Sequence, residues 1–375
     1  VQPKALKLTI FNPKEANRVT WHSLNTFLNK IQAEALPDHP TISVDETKLI
    51  WESIPPVIER DAWIVQREGS APQIVALGYV DFMHTEENQH VAQAQISVLP
   101  EMRRMGLGTQ LLAKITNRAQ QNGRRLLIGE ANENIPAGIA FIERLGAQIG
   151  LRIHIHRLEI ANLDQHLLND WQALAHQKAI GFELGLWVGP YPEDQLPAMA
   201  AIKHAINQQP HDGLEIEDVN WTPEILRQID ETLVQRGIER WTIYVRESAS
   251  GNLAGFTEVT WQPNNPEIIQ QGDTAVLEEY RNRGLGRWLK SAMLVKIIHE
   301  KPMVKFVRTV NADSNAPMRR INEELGFKPY RASSVCQVEI EQINQYLAQR
   351  NQTPNGGPSG LLDLIVPVQQ IKMSA

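Results

Sequence analysis

One cysteine, Cys336, is all that the 375 residues contain. A single thiol cannot build an intrachain disulfide framework, so the chain suits a reducing compartment. Long apolar runs are missing too: none approaches the ~20 residues that span a bilayer, and Val1 to Lys7 shows no charged-then-apolar signal pattern. Nor is positive charge in excess. Lys and Arg number 37 against 43 Asp and Glu, a formal net charge of −6 with a pI near 6.0, which leaves no global basic field to hold nucleic acid or an anionic membrane. Any anion must be gripped locally. These absences lead us to expect a soluble cytoplasmic protein, monomeric or homodimeric, without nucleic-acid or membrane partners.

What the chain does have is a repeat. Val98 to Gly108 reads VLPEMRRMGLG and Val276 to Gly286 reads VLEEYRNRGLG, identical at seven of eleven positions and 178 residues apart. Trp63 and Trp241 share that spacing, while HRLEIANLDQHL from His156 pairs with CQVEIEQINQYL from Cys336 at 180. A period this long suits a domain rather than a solenoid unit. The pattern predicts an N-terminal domain over 1–160, a connecting helix over 161–178, a C-terminal domain over 179–348 and a loop and strand-like tail over 349–375. The tail, Leu361 to Val368, reads as an edge strand or a dimer contact.

Within the first copy, Leu6 to Phe11, Ala62 to Val65, Ile74 to Phe82 and Val91 to Leu99 alternate as strands. Ala16 to Ala35 has helical spacing, as do Leu111, Leu112, Ile115 and Ala119 beyond Gly108, with Gly123 as the cap. The second copy repeats the order through Trp241 to Arg246, Ala254 to Trp261, Gly272 to Val276, the helix Trp288 to Ile298, the strand Met303 to Val310 and the helix Pro317 to Leu325. The fold expected is α+β, a mixed and mostly antiparallel central sheet flanked by helices, built twice.

In each copy a strand runs into an Arg-rich Gly-x-Gly string that opens a helix. Unpaired N–H groups of a first helical turn point at one spot, the helix dipole adds about half a positive charge there, and glycine lets a phosphate approach the backbone. Arg281, Arg283 and Arg287 add full charges in the second copy, Arg103 and Arg104 in the first. The string reads as a pyrophosphate cradle. It is not a nucleoside-triphosphatase loop, because Arg287 and Trp288 follow Gly286 and Thr109 and Gln110 follow Gly108 where Lys and Ser or Thr are required. A dinucleotide fold would place its glycines after a first strand, whereas several strands precede these.

A strand followed by [RQ]-x-x-G-x-[GA] and a helix resembles the acyl-CoA-binding motif of the GNAT superfamily of N-acyltransferases, matched by Arg103 Arg104 Met105 Gly106 Leu107 Gly108 and by Arg281 Asn282 Arg283 Gly284 Leu285 Gly286. Thr309 to Phe327 (TVNADSNAPMRRINEELGF) is similar to the following strand and helix of the tandem group that includes mycothiol synthase-like proteins. The resemblance implies two tandem GNAT-like domains that take acetyl-CoA or another acyl-CoA. The loop amides would hold the CoA pyrophosphate, and the pantetheine arm would pair with the preceding strand where it splays from the next. Those roles fall on Thr274, Ala275, Val276 and Arg281 to Arg287, with Asn311, Asn315 and Met318 near the thioester end. The first-copy counterparts are Ser97, Val98 and Arg103 to Thr109. Many members carry a tyrosine acid four residues before the Gly of the L-G-F string, where this chain has Asn322 and, in the first copy, Ile142. The first copy also lacks the Ser-Asn-x-Pro-Met core, so the second is expected to be the catalyst.

Acyl transfer to an amine needs a group to take its proton. Gly78 Tyr79 Val80 Asp81 matches Gly255 Phe256 Thr257 Glu258 at a spacing of 177, making Glu258 the candidate base, with Asp273 and Gln271 as rivals. A backbone N–H near Val276 would meet charge developing on the thioester oxygen. Asp212 and the acidic stretch Glu215 to Asp218 would suit a cationic acceptor. His154 and His156 alternate on one strand face without a third ligand, so no metal is assigned. The expectation is acetyl-CoA-dependent transfer to a small-molecule primary amine by direct attack. The alternatives are a non-catalytic acyl-CoA-binding protein and a protein N-acetyltransferase.

Overall fold

The computed structural model describes residues 5–69, 72–208 and 211–351. The loop expected beyond residue 351 and the tail at Leu361 to Val368 lie outside them. In chain order the first repeat folds as β1 (Leu6–Phe11), α1 (Arg18–Ala35), α2 (Val44–Glu52), β2 (Ile58–Arg67), β3 (Gln73–Met83), β4 (Val91–Val98), α3 (Leu107–Gln121), β5 (Leu126–Asn132), α4 (Pro136–Arg144) and β6 (Gln148–Glu159). The second folds as α5 (Gln165–Lys178), β7 (Phe182–Val188), α6 (Leu196–His204), α7 (Pro223–Gln235), β8 (Glu239–Glu247), β9 (Leu253–Trp261), β10 (Ile268–Val276), α8 (Leu285–Glu300), β11 (Phe306–Ala312), α9 (Ala316–Glu324), β12 (Lys328–Glu339) and α10 (Ile340–Asn351). No helix among the described residues is long and apolar enough to cross a membrane.

Two compact units result, and their limits cut across the repeats. The first holds β1 to β5 together with residues 331–351, so that β12 pairs antiparallel with β5 from Ser333↔Asn132 to Glu339↔Leu126. The second begins at Ile153, and β6 there pairs antiparallel with β11 from Ile153↔Ala312 to Glu159↔Phe306. Each unit is therefore completed by the last strand of the other repeat, where contiguous domains were expected. The physical reason lies in the likeness of the two strands: HRLEI and CQVEI present the same alternation, so either suits either sheet edge.

The helix after each of these strands follows it. α5, expected as a connector, packs Leu168, Trp171 and Ala175 into the core of the second unit beside Leu289 and Met293 of α8. α10 does the same on the first unit, burying Ile340 and Ile343 in the core that contains Leu111 and Ile115 of α3. Both units pack helices on the two faces of the sheet, since consecutive strand residues such as Trp63, Ile64 and Val65, or Ile243, Tyr244 and Val245, are all buried, and Trp63 and Trp241 occupy matching positions on β2 and β8.

In both units one strand pair is parallel and short. β4 meets β5 only over Val91–Gln93 against Leu126–Ile128, and β10 meets β11 only over Ile268–Gln271 against Phe306–Thr309. Beyond these pairs the strands part, opening the sheet at the end that feeds the glycine string. One difference separates the units. β4 runs beside β3 in unbroken register, whereas β10 takes an extra residue against β9 between Gln271 and Thr274. This is a β-bulge at Gly272 and Asp273, and a bulge re-aims the side chains around it.

Candidate active site

The glycine string of the second unit has the backbone of an anion cradle. After β10 and a short turn at Glu278–Tyr280, Asn282 and Gly284 adopt left-handed φ values of 66° and 79°, and α8 then starts at Leu285 without a side-chain cap. Its first N–H groups have no intrahelical acceptor, and the dipole points there. A Cβ at Gly284 would meet no atom within 4 Å, so the approach is open, but the left-handed φ disfavours any side chain there. Arg281 donates from Nε to the Val276 carbonyl at 3.2 Å, which ties the string to the end of β10. The Arg283 guanidinium lies 5.4 Å from the Phe182 ring centroid. Arg287 is turned away to Glu324 on α9, with bonds of 2.9 and 2.8 Å, so it clamps two helices.

The first unit repeats the backbone and changes the surroundings. Arg104 and Gly106 have φ values of 68° and 78°, and Arg103 donates from Nε to the Val98 carbonyl at 3.2 Å. Arg103 also makes a two-pronged pair with Glu34 of α1, one prong 2.8 Å long, which sets a carboxylate beside the string. Arg350 of α10 donates to the Thr109 hydroxyl at 3.2 Å. Met105 is exposed, while Leu107 and Gly108 are buried. On the splayed strand Ser97 and Val98 are 2% and 0% exposed, where Thr274, Ala275 and Val276 are half-buried. The first core takes in Ile96, Val98, Ala131, Ile135, Phe141 and Ile142, apolar residues of the strands and helix that bound its opening. The residues of the second unit fit an acyl-CoA pyrophosphate and arm; in the first, Arg103 and Thr109 of the string are bonded to Glu34 and Arg350.

Around the second opening, the Asn315 side chain caps α9 by accepting from the Met318 N–H at 3.4 Å. Asn311 on β11 accepts 2.7 Å from the Asn322 amide, and Asn322 in turn accepts 2.9 Å from the ammonium of Lys290. Lys290 is 2% exposed and has no carboxylate partner among the described residues; burial alone pushes its pKa down to about 7.

The candidate bases meet in one buried cluster. Glu258 on β9 and Asp273 in the bulge are 6% and 3% exposed. Lys203 of α6 reaches between them, its Nζ 2.8 Å from Asp273 Oδ2 and 3.3 Å from Glu258 Oε2. Tyr191 donates its hydroxyl to Glu258 Oε1, and Thr242 approaches the same oxygen at 3.4 Å. Tyr191 is itself held, its N–H donating to Asp230 at 2.8 Å and its ring lying 3.6 Å below the Arg240 guanidinium. Burial first, and then the charge of Asp273, raise the Glu258 carboxyl well above its ordinary range; burial also raises Asp273, against the pull of Lys203. Asp273 Oδ1 is buried with no hydrogen-bond partner among the described residues. Gln271, the other rival, spends its amide on Thr257 Oγ1 and on the carbonyls of Glu258 and Gly272.

Asp81, the matching carboxylate of the first unit, has a different fate. Arg60 grips it with two bonds of 2.7 and 2.6 Å and stacks 4.0 Å from the Tyr79 ring. A guanidinium keeps its proton, so the pair is structural.

Comparison with known proteins agrees with this doubling. Residues 59–146 match the model of an acetyltransferase (GNAT) domain and residues 206–327 match that of the acetyltransferase (GNAT) family. This chain is a tandem GNAT protein. Among solved structures, a tandem GNAT protein from the clavulanic acid biosynthesis pathway is 23% identical with a TM-score of 0.70, over 90% of this chain and 99% of that one. A GCN5-related N-acetyltransferase from Sphaerobacter thermophilus is 14% identical with a TM-score of 0.60, over 89% and 96%. A glucosamine N-acetyltransferase region of a fungal multi-domain GH3 β-N-acetylglucosaminidase scores 0.62 at 12% identity, over 90% of this chain and 38% of that one. A search of curated protein sequences found no match.

Some features of this GNAT chain escaped sequence reasoning although signals for them existed. Lys203 falls on the apolar stripe Leu196, Met199, Ala200, at the next helical turn, so a lysine in a core position was there to be read. The bulge also left a trace. Asp81 and Glu258 are 177 apart but Val98 and Val276 are 178, so the second copy holds one extra residue between them. Most of the acidic stretch makes contacts of its own. Residues 211–217 belong to the first unit, where Glu215 pairs with Arg125 and Glu217 accepts from the Asn88 N–H at 2.6 Å. His154 Nδ1 lies 2.8 Å from Asp313.

Proposed function

We propose that the protein is an acyl-CoA-dependent N-acetyltransferase whose chemistry is in the second unit, and that its acceptor is a small-molecule primary amine. One observation carries the reading. The same strand position holds an arginine-locked carboxylate in the first unit and, in the second, a carboxylate that shares one lysine with a second acid across a bulge. Two carboxylates face one ammonium, so one of them, Glu258, is left as a proton acceptor beyond the pair that Lys203 makes with Asp273.

An amine with a lysine-like pKa near 10.4 pays roughly 4 to 5 kcal/mol to be neutral at pH 7. Glu258, raised by burial and by Asp273, takes that proton at lower cost than an ordinary carboxylate would. The uncapped turn at Gly284 to Gly286 and the half-buried edge Thr274 to Val276 support binding of the pyrophosphate and arm of acetyl-CoA. Acyl-CoA supplies the activated acyl group as a thioester, and the chain supplies orientation and proton removal. The relative named as a glucosamine N-acetyltransferase makes an amino sugar one acceptor to include in the trial.

The test is release of the CoA thiol from acetyl-CoA across a panel of amines, for wild type and Glu258→Gln. Turnover with at least one small amine, lowered tenfold or more by Glu258→Gln with CoA binding kept, supports the reading; tenfold is about 1.4 kcal/mol of barrier. CoA binding without thiol release from any amine would favour a non-catalytic acyl-CoA-binding protein, and transfer to peptides alone would favour a protein acetyltransferase.

A further inference from the structure

The geometry points to Lys203 as an acyl acceptor in its own right: with acyl-CoA in the second unit and no small amine present, its Nζ is acylated in cis. The inference rests on the reading above and adds a modification site to it.

Lys203 Nζ stands where an acceptor's ammonium should stand. It touches both candidate bases, at 2.8 Å to Asp273 and 3.3 Å to Glu258, and Asp273 lies in the bulge where β10 parts from β11. Thr274 to Val276, the strand edge that faces the opening, follow it directly. Trp221 and Phe256 flank this amine through their rings at 5.4 and 5.0 Å. The first unit shows that this fold can satisfy the same strand carboxylate with arginine, a better fork for a carboxylate and one that cannot become a nucleophile. A lysine can. Its ammonium is buried against two carboxylates, so a proton acceptor stands within hydrogen-bond reach of the nitrogen.

The step balances as follows. The Lys203 ammonium gives one proton to Glu258, and its lone pair attacks the thioester carbon. The new N–C bond forms, the C–S bond breaks, and a second proton leaves nitrogen with the departing thiolate. The products are an acetamide on Lys203 and CoA thiol, with the proton on Glu258 released to solvent. Tethering the amine on a flexible four-carbon stem beside the opening makes the reaction unimolecular, and intramolecular placement substitutes for a high concentration of amine. The acetamide would remove the cluster's one ammonium and leave Glu258 and Asp273 facing each other, so modification would also switch the site off toward small amines.

Full-length protein is incubated with acetyl-CoA in the absence of added amine, and intact mass and peptide mapping follow the acetyl group while thermal melting with CoA is recorded on the same preparation. We expect one acetyl group per chain, on Lys203, appearing with a rate constant that does not change over a tenfold range of protein concentration. It should be absent in Gly284→Asp and slowed at least tenfold in Glu258→Gln. A CoA-induced rise in melting temperature without acetyl-Lys203 would overturn this inference and leave the proposed function standing; neither a rise nor acetylation would remove both. Acetyl groups scattered over surface lysines and persisting in Gly284→Asp, or a rate proportional to protein concentration, would also overturn it.

Discussion

Replacing Lys290 by methionine should stabilise the second unit, and by an amount that depends on pH in a stated direction. The lysine is buried in α8 with the Asn322 carbonyl oxygen as its hydrogen-bond partner, and burial lowers its pKa from 10.5 to about 7. That difference is about 5 kcal/mol at 1.36 kcal/mol for each tenfold change in proton affinity. Below pH 7 the lysine is charged in both states and the full penalty applies. Between about 7 and 10.5 the unfolded chain holds a proton that the folded chain does not, so stability rises with pH at about 1.4 kcal/mol per unit. Methionine has similar length and no charge, but it leaves the Asn322 oxygen without its donor, a cost of about 1 to 3 kcal/mol. At pH 7 the variant should therefore be about 2 kcal/mol or more above wild type, with the gap closing and then reversing as pH approaches 10. The assay is urea titration read by hydrogen exchange in peptides from Leu285–Glu300, which isolates this unit from the other. A difference between the two proteins that stays constant from pH 7 to 9 would refute the buried, weakly compensated ammonium.

Two further outcomes concern the first unit. Gly284→Asp should abolish the rise in melting temperature that CoA causes, about 2.7 kcal/mol at a hundred times Kd, while Gly106→Asp should leave it intact, because Glu34 and Arg350 already occupy the first string; calorimetric titration of wild type should give one CoA per chain, and two would reverse this. Asp81→Asn should lower stability by about 3 to 5 kcal/mol, since it leaves Arg60 buried without its carboxylate, and turnover measured below its melting point should match wild type; a variant that melts normally and does not turn over would make the first unit the catalyst.

Much of the fold was legible because the repeat is long and its periods are clean. β1 was read to the residue, and α3 and α8 followed from apolar spacing after each glycine string. The exchange of β6 and β12 was not legible, for a physical reason. A strand's alternation specifies which face it buries, but two homologous strands specify the same face, and pairing choice then depends on chain geometry that no local pattern encodes. The candidate site residues divide in the same way. Glu258 lies on a strand whose register the repeat aligns, with Asp273 on the next strand, so both could be nominated from the sequence; Lys203 and Tyr191 come from segments between α5 and β8 that the repeat does not constrain, and only contact with Glu258 draws attention to them.

The two units thus start from one sequence plan and diverge at three linked points. Where the second unit has a bulge, the first has straight register; where the second pairs its strand carboxylate with a lysine, the first uses an arginine; and where the second leaves its splayed edge half-buried, the first buries Ser97 and Val98. The changes belong together. A straight β4 lets its side chains alternate into a closed core, a closed core has no water to hydrate a carboxylate, and an unhydrated carboxylate needs the two-pronged grip of arginine to stay charged. In the second unit the bulge breaks the alternation and the edge Thr274 to Val276 stays half-buried, while Glu258 and Asp273, as buried as Asp81, share one lysine. Inserting one residue between Gly78 and Val98 would not by itself give the first unit the arrangement of the second, because Arg60 would still hold Asp81.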